Sequence, residues 1–198
     1  TIMKRASKAP SSARSGQVRV IAGQWRGRKL PVTDLQGLRP TTDRNKETLF
    51  NWLMPYVQTA RCLDVFAGSG ALGIEALSRY ASSCDFFEKD QTAARQLASN
   101  LQSLNATGQV FKGDAFNFLS ACTSTYDIIF VDPPFHHNLV QPALDSIAQH
   151  HLLKPNGLIY IEQEANMSFP GLPEGFQVLK QKTSSQLTFA LIKAQVTD

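Results

Sequence analysis

Cysteine is scarce, with three in 198 residues, and no cluster of metal-ligating residues stands out. Cys62, Cys84 and Cys122 show neither a CxxC spacing nor a paired histidine, and two of them fall in apolar runs. This argues against a disulfide framework and suggests no metal site; buried, reduced thiols of a cytoplasmic protein are expected. Long apolar runs are also missing. None approaches the roughly eighteen residues needed to cross a bilayer, and the first residues lack the apolar centre of a secretion signal. Acidic residues are rare at the front. Residues 1–46 hold eleven Lys or Arg against Asp34 and Asp43, a net charge of +9, and the remainder carries nine basic and fourteen acidic residues, a net charge of −5.

A basic front on an acidic body points to a polyanion partner reached through the N-terminal segment. A solubilising tail is the plainer alternative. Nucleic acid is the better reading, because several of these charges lie on a predicted hairpin. Residues 1–16, rich in Lys, Arg, Ser, Ala and Pro and without a period, are expected to be a disordered basic tail. Gln17 to Gly23 alternates apolar and polar residues, Gln24-Trp25 marks a turn, and Arg26 to Val32 returns. This predicts a β-hairpin extension, residues 17–37, with Arg19, Arg26, Arg28 and Lys29 exposed for RNA contact.

The rest of the chain, residues 38–198, is organised around Leu63-Asp64-Val65-Phe66-Ala67-Gly68-Ser69-Gly70-Ala71-Leu72-Gly73. It reads as a buried strand, a G-x-G-x-x-G turn and an amphipathic helix. Such a turn lets the backbone approach a ligand, and the helix behind it aims free N–H groups at that ligand. Glu88 ends the next apolar run, 18 residues past Gly70, where an acid can accept the hydroxyls of an adenosine ribose. Nicotinamide and flavin enzymes share this layout. Asp64 leans away from them, since a carboxylate suits a cationic, amine-bearing cofactor better than a pyrophosphate.

Strand and helix then alternate. Strands are predicted at 61–66, 84–88, 109–112, 127–131 and 158–162, and a final pair at 176–182 and 187–193 must run in opposite directions. The expectation is an α/β fold with a seven-stranded, mostly parallel sheet and one antiparallel strand. A helix capped by Thr42 and carrying Leu49, Phe50 and Leu53 precedes the first strand. Gly113-Asp114 ends the third strand, and Asp114 is placed to accept an adenine amino group or to cap the next helix.

Asp132-Pro133-Pro134-Phe135 follows the fourth strand directly. In a doubly wound sheet, the first and fourth strands flank the point where the winding reverses, so the two motifs should meet at one crevice. An exocyclic amine on a base is a poor nucleophile because its lone pair is delocalised. Asp132 and the Pro133 carbonyl can each accept one of its N–H groups and direct the lone pair at a methyl donor. The prolines remove competing donors and stiffen the loop. Phe135 offers a stacking face, a contact that contributes about 1–3 kcal/mol per base.

Taken together, Arg19 to Leu30, Leu38-Arg39-Pro40-Thr41-Thr42-Asp43-Arg44, Glu47 to Leu53, Leu63 to Leu77 and Val131 to Phe135 resemble the bacterial 16S rRNA guanine-N2 methyltransferases of the RsmD type, over roughly residues 17–193. The resemblance implies a Rossmann-like class I methyltransferase that uses S-adenosylmethionine, with 16S rRNA in a largely assembled small subunit as substrate. Matched by position, Ala67, Gly68, Ser69 and Gly70 would touch the methionine part of the cofactor, and Asp64, Phe66 and Lys89 join the cofactor-binding set. Glu88 would face the ribose, Asp114 and Ala115 the adenine, and Asp132, Pro133, Pro134 and Phe135 the target guanine. Thr41 and Thr42 would close over the cofactor, and Arg39 and Arg44 join the RNA-contacting set. No membrane, no metal and a monomeric protein are expected. The competing readings are a DNA adenine-N6 or other amino-methyltransferase, which would share the Asp-Pro-Pro-Phe chemistry, and a non-catalytic nucleic-acid-binding protein of the same fold.

Overall fold

The computed structural model describes residues 16–33 and 42–195. Most of the basic tail, Arg39, Thr41 and the last three residues of the chain lie outside the described residues. Two short strands, β1 (Gln17–Arg19) and β2 (Lys29–Pro31), come first, followed by α1 (Asp43–Leu53). Then follow β3 (Arg61–Asp64), α2 (Ala71–Ser78), β4 (Ser83–Glu88), α3 (Gln91–Ser103), β5 (Gly108–Lys112) and α4 (Ala115–Ala121). The chain continues through β6 (Tyr126–Val131), α5 (Val140–Gln149), β7 (Leu153–Glu164), β8 (Phe176–Thr183) and β9 (Leu187–Ala194).

The central sheet has seven strands in the order β5-β4-β3-β6-β7-β9-β8. Only β9 runs against its neighbours, as the closing hairpin requires. The winding reverses between β3 and β6, which pair in parallel with Asp64 opposite Phe130. The apolar runs of the inner strands are continuous because both sheet faces are covered. Cys62, Ile128, Phe130, Leu158, Tyr160 and Leu191 pack on one face with α1, α2 and α3. Leu63, Ile129, Val131, Ile159, Ile161 and Ile192 pack on the other with α4 and α5.

Local chemistry sets the helix starts. Thr42 Oγ1 accepts from Asn45 N at 3.2 Å, Asp90 Oδ1 from Ala93 N at 2.8 Å, and Asp114 Oδ1 from Phe116 N at 2.9 Å. Each satisfies an N–H that a helix leaves unpaired in its first turn. Gly70 begins α2 in the left-handed region at φ 77°, and a Cβ there would stand 2.3 Å from Leu97 Cδ1. At Gly73, a Cβ would meet the Phe86 ring at 2.3 Å, so this glycine lets α2 lie close on β4.

Two expectations change in detail. The hairpin arms are three residues each, with Gln17 opposite Pro31, rather than seven. Val20 still bonds across the hairpin, donating from N to Arg28 O and accepting at O from Gly27 N, but residues 21–25 turn their backbone to α2, with Ile21 N and Ala22 N on Glu75 and Gln24 N and Trp25 N on Ser78. The Pro155-Asn156-Gly157 turn does not precede the fifth strand but sits inside it. It is absorbed by a register shift beside Tyr126 and Ile128, with Asn156 at φ 62°.

Candidate active site

The carboxyl ends of four adjacent strands converge on one cavity of about 700 Å³, within the range of cofactor sites. Backbone pairing carries them there. Val65 N donates to Phe130 O at 3.1 Å, Ala67 N to Phe87 O at 2.9 Å, and Gly113 N to Glu88 O at 2.9 Å. Asp64, Phe66, Ala67, Gly68 and Ser69 line the cavity from β3 and its turn. Glu88 and Lys89 line it from the end of β4, Asp114 and Ala115 from the end of β5, and Asp132, Pro133 and Pro134 from the end of β6. Residues 62 apart in sequence, Gly70 and Asp132, thus belong to elements that flank one reversal point.

Asp64 is fully buried, and its Oδ2 has no hydrogen-bond partner among the described residues. Burial pushes its carboxyl up to about 7; a hydrogen bond from the Gly73 backbone N–H opposes this, and the Glu88 charge adds to it. A buried carboxylate oxygen lacking a donor is costly unless something supplies one. A cationic amine at the cavity would do so. Glu88 is organised differently. Its Oε2 accepts from Gly68 N at 2.7 Å and its Oε1 from Asp90 N at 3.0 Å. Burial raises its pKa, against the pull of these backbone donors. One acid therefore both shapes the glycine turn and faces the cavity.

Not every expected residue reaches the cavity wall. Gly70 is the cap of α2, packed on Leu97, and Thr42 caps α1; neither lines the cavity. Phe135 lines a small neighbouring cleft with Pro133, Pro134, Glu162, Glu164 and Met167. The loop there is strained, with His136 at φ 68° and Asn138 at φ 51°, and Glu164 Oε1 holds His136 N at 2.8 Å. Arg19, Arg26, Arg28, Lys29 and Arg44 are all exposed.

Other lining residues went unsuspected. Phe116 on α4 lies at the cavity with its ring edge-on to Phe66, centroids 6.1 Å apart. It follows Asp114-Ala115, so its place was within reach of the motif. His137 also faces the cavity, and so do Gly16, Gln17, Val18, Val32 and Thr33 of the N-terminal segment, for which no sequence signal exists. The cysteines take no part: burial pushes the Cys62 and Cys84 thiols far up, so neither is a nucleophile at neutral pH. Among the described residues there is no group of three or more His, Cys, Asp or Glu side chains that could hold a metal, and no helix long and apolar enough to cross a membrane.

A family model described as conserved hypothetical protein 95 matches residues 18–193. Ribosomal RNA small subunit methyltransferase D of Escherichia coli K12 is 44% identical over 189 residues, covering 95% of this chain and 96% of that one. The Haemophilus influenzae protein of the same name is 49% identical over 181 residues, covering 89% and 93%. A solved structure from Escherichia coli superposes with a TM-score of 0.85 at 44% identity, covering 92% of this chain and 100% of that one.

Proposed function

Since this chain belongs to the RsmD-like family of ribosomal RNA small subunit methyltransferases, we propose that it transfers a methyl group from S-adenosylmethionine to the exocyclic N2 of a guanine in 16S rRNA. The single observation that carries this reading is the meeting of Asp64 and the Asp132-Pro133-Pro134 loop at one cavity, across the β3–β6 reversal. S-adenosylmethionine supplies an electrophilic methyl carbon on a sulfonium sulfur.

The residues divide the work. The orphan Oδ2 of Asp64 fits the donor's α-ammonium group, and Ala67 to Ser69 cradle its methionine part. Glu88 and Lys89 face the ribose. Asp114 and Ala115 face the adenine edge, with Phe66 and Phe116 as flanking apolar surface. Asp132 and the Pro133 carbonyl accept the two N–H groups of the guanine amine, which pyramidalises nitrogen and aims its lone pair. With a methyl donor bound, Asp132 would take up the proton that the amine gives up on methylation. Positioning and a fixed carboxylate are the main catalytic contributions. Phe135 stacks on the base as it leaves its neighbours. The substrate is the guanine within a small-subunit particle, the place of work is the cytoplasm, and the acting form is a monomer.

The test is to incubate the protein with methyl-labelled donor and unmethylated small subunits, then digest the rRNA and weigh the nucleosides. Labelled N2-methylguanosine is expected. Label appearing in N6-methyladenine of a DNA duplex, and not in rRNA, would replace this reading with its nearest competitor.

The exposed hairpin cations give a second expectation. Arg26→Gln with Arg28→Gln should weaken RNA binding and make the log–log salt dependence shallower by about one unit per cation removed. Filter binding across a salt series checks it; an unchanged slope would place the phosphate contacts elsewhere. Substitution is preferable to deleting residues 1–32, because Val20 and Leu30 are part of the hydrophobic core.

A further inference from the structure

We propose that residues 16–18 and 32–33 form a wall of the donor cavity, and that Glu75 is the positioning residue that holds this wall in place. The proposal rests on the reading that the cavity takes an S-adenosyl donor. Neither β1 nor β2 belongs to the central sheet, and they pair at only three positions, too few to fix a two-stranded ribbon by themselves. Yet Gln17, Val18, Val32 and Thr33 face the same cavity as Asp64, Glu88 and Asp132. Something outside the ribbon must set its position.

That fixture is α2. Glu75, fully buried, accepts from Ile21 N at 3.1 Å through Oε2 and from Ala22 N at 3.2 Å through Oε1, which also takes Arg79 Nη2 at 3.0 Å. Ser78, one turn on, donates from Oγ to Ala22 O at 2.7 Å, accepts at Oγ from Trp25 N at 3.1 Å, and accepts at its carbonyl from Gln24 N at 2.8 Å. Lys46 Nζ of α1 donates to Arg19 O at 2.6 Å, and Asn100 Nδ2 of α3 donates to Pro31 O at 2.8 Å.

A buried carboxylate is a poor choice for packing alone, since a hydrophobic residue of like volume would serve a helix face at least as well. What it does here is take the N–H groups of residues 21 and 22, which have left the β1–β2 ladder. Its place on the helix matters too. Gly70, five residues earlier, caps the start of α2 and ends the turn that lines the donor site. A single eight-residue helix therefore carries the donor turn at one end and the wall clasp at the other. Loosening the clasp moves one side of the cavity relative to the other.

Three variants test this: Glu75→Gln, which keeps the shape and one acceptor oxygen but not the charge; Ser78→Ala, which cuts the adjoining clasp; and Val32→Trp, which intrudes on the cavity from the wall and leaves the clasp alone. Isothermal titration with S-adenosylhomocysteine gives Kd, and thermal melts without ligand give Tm. Titrations are run well below each Tm. Wild type should bind; Glu75→Gln should bind about tenfold more weakly, the loss expected for charge-assisted hydrogen bonds. Val32→Trp should also weaken binding, with Tm near that of wild type. A Glu75→Gln or Ser78→Ala protein that melts earlier yet binds with wild-type Kd makes the clasp merely structural and overturns the proposal. Unaltered binding by Val32→Trp removes residue 32 from the wall, and overturns it even if Glu75→Gln fails to fold. Wild type giving no heat with S-adenosylhomocysteine would instead strike the donor-site reading beneath it.

Discussion

Replacing Asp132 with Asn should lower the single-turnover rate of methyl transfer by about a hundredfold or more, while donor affinity stays within about twofold. The asymmetry follows from position. Asp132 follows β6 directly, on the far side of the winding reversal from Asp64 and the glycine turn, and lines the cavity from there. An Asn there keeps one acceptor oxygen for the amine, but it removes the negative charge that stabilises the developing cation and the group that would take the proton nitrogen sheds. Those interactions strengthen only as nitrogen attacks, so their loss falls on the rate and not on ground-state binding. Rapid-quench turnover with saturating donor, paired with S-adenosylhomocysteine titration, separates the two. A variant with wild-type turnover would remove the acceptor role; one that lost donor binding instead would move Asp132 to the cofactor side.

Asp64→Asn should have the second largest effect, with a pH signature. Burial holds the folded-state carboxyl up to about 7, well above its unfolded value near 4. Between these values the folded chain binds the extra proton, so the contribution of Asp64 to stability is favourable below about pH 4 and is lost as pH rises through 7. Asn titrates nowhere in that window. The variant should therefore match wild type in acid and exceed it at pH 8, by on the order of a few kcal/mol. Donor binding should move the opposite way. An ammonium beside Oδ2 favours the ionised carboxylate, so wild-type affinity should rise between pH 5.5 and 7.5, by up to about tenfold per unit below the carboxyl's own value. Binding in this range should release a proton, visible as a difference in heat between buffers of unlike ionisation enthalpy. Asp64→Asn should bind weakly, with neither the pH rise nor the released proton. Equal affinity, or wild-type binding with no proton released, would place the amine elsewhere.

Much of this was legible before any coordinates because the signals are local. The alternation of apolar runs and 3.6-period stripes gave each strand of the central sheet to within a few residues, apart from the early start of β7. The expected capping residues Thr42 and Asp114 lie where helix starts need a short acceptor side chain; Asp90 does the same for α3 without having been singled out. Glycine spacing at 68, 70 and 73 forecast a backbone approach to a ligand, whereas a Cβ at Gly70 or Gly73 would meet Leu97 or Phe86 of the chain itself. The hairpin was half legible. Its period of two marked strands, but nothing in residues 21–25 announced that their backbone would bond to Glu75 and Ser78. A carboxylate inside an apolar helix looks the same in sequence whether it faces solvent or a foreign backbone.

The amino-acid sequence by itself determined the element order, the sheet's mixed direction and the functional groups that the two motifs carry, because turn geometry, periodicity and side-chain identity are properties of neighbouring residues. Tertiary structure alone decided that, among the described residues, Asp64 Oδ2 has no hydrogen-bond partner at the cavity, that Phe116 and His137 line it, and that residues 16–18 and 32–33 of the N-terminal segment line it too. Burial and long-range hydrogen bonding depend on what the rest of the chain places around a residue. No local pattern carries that information.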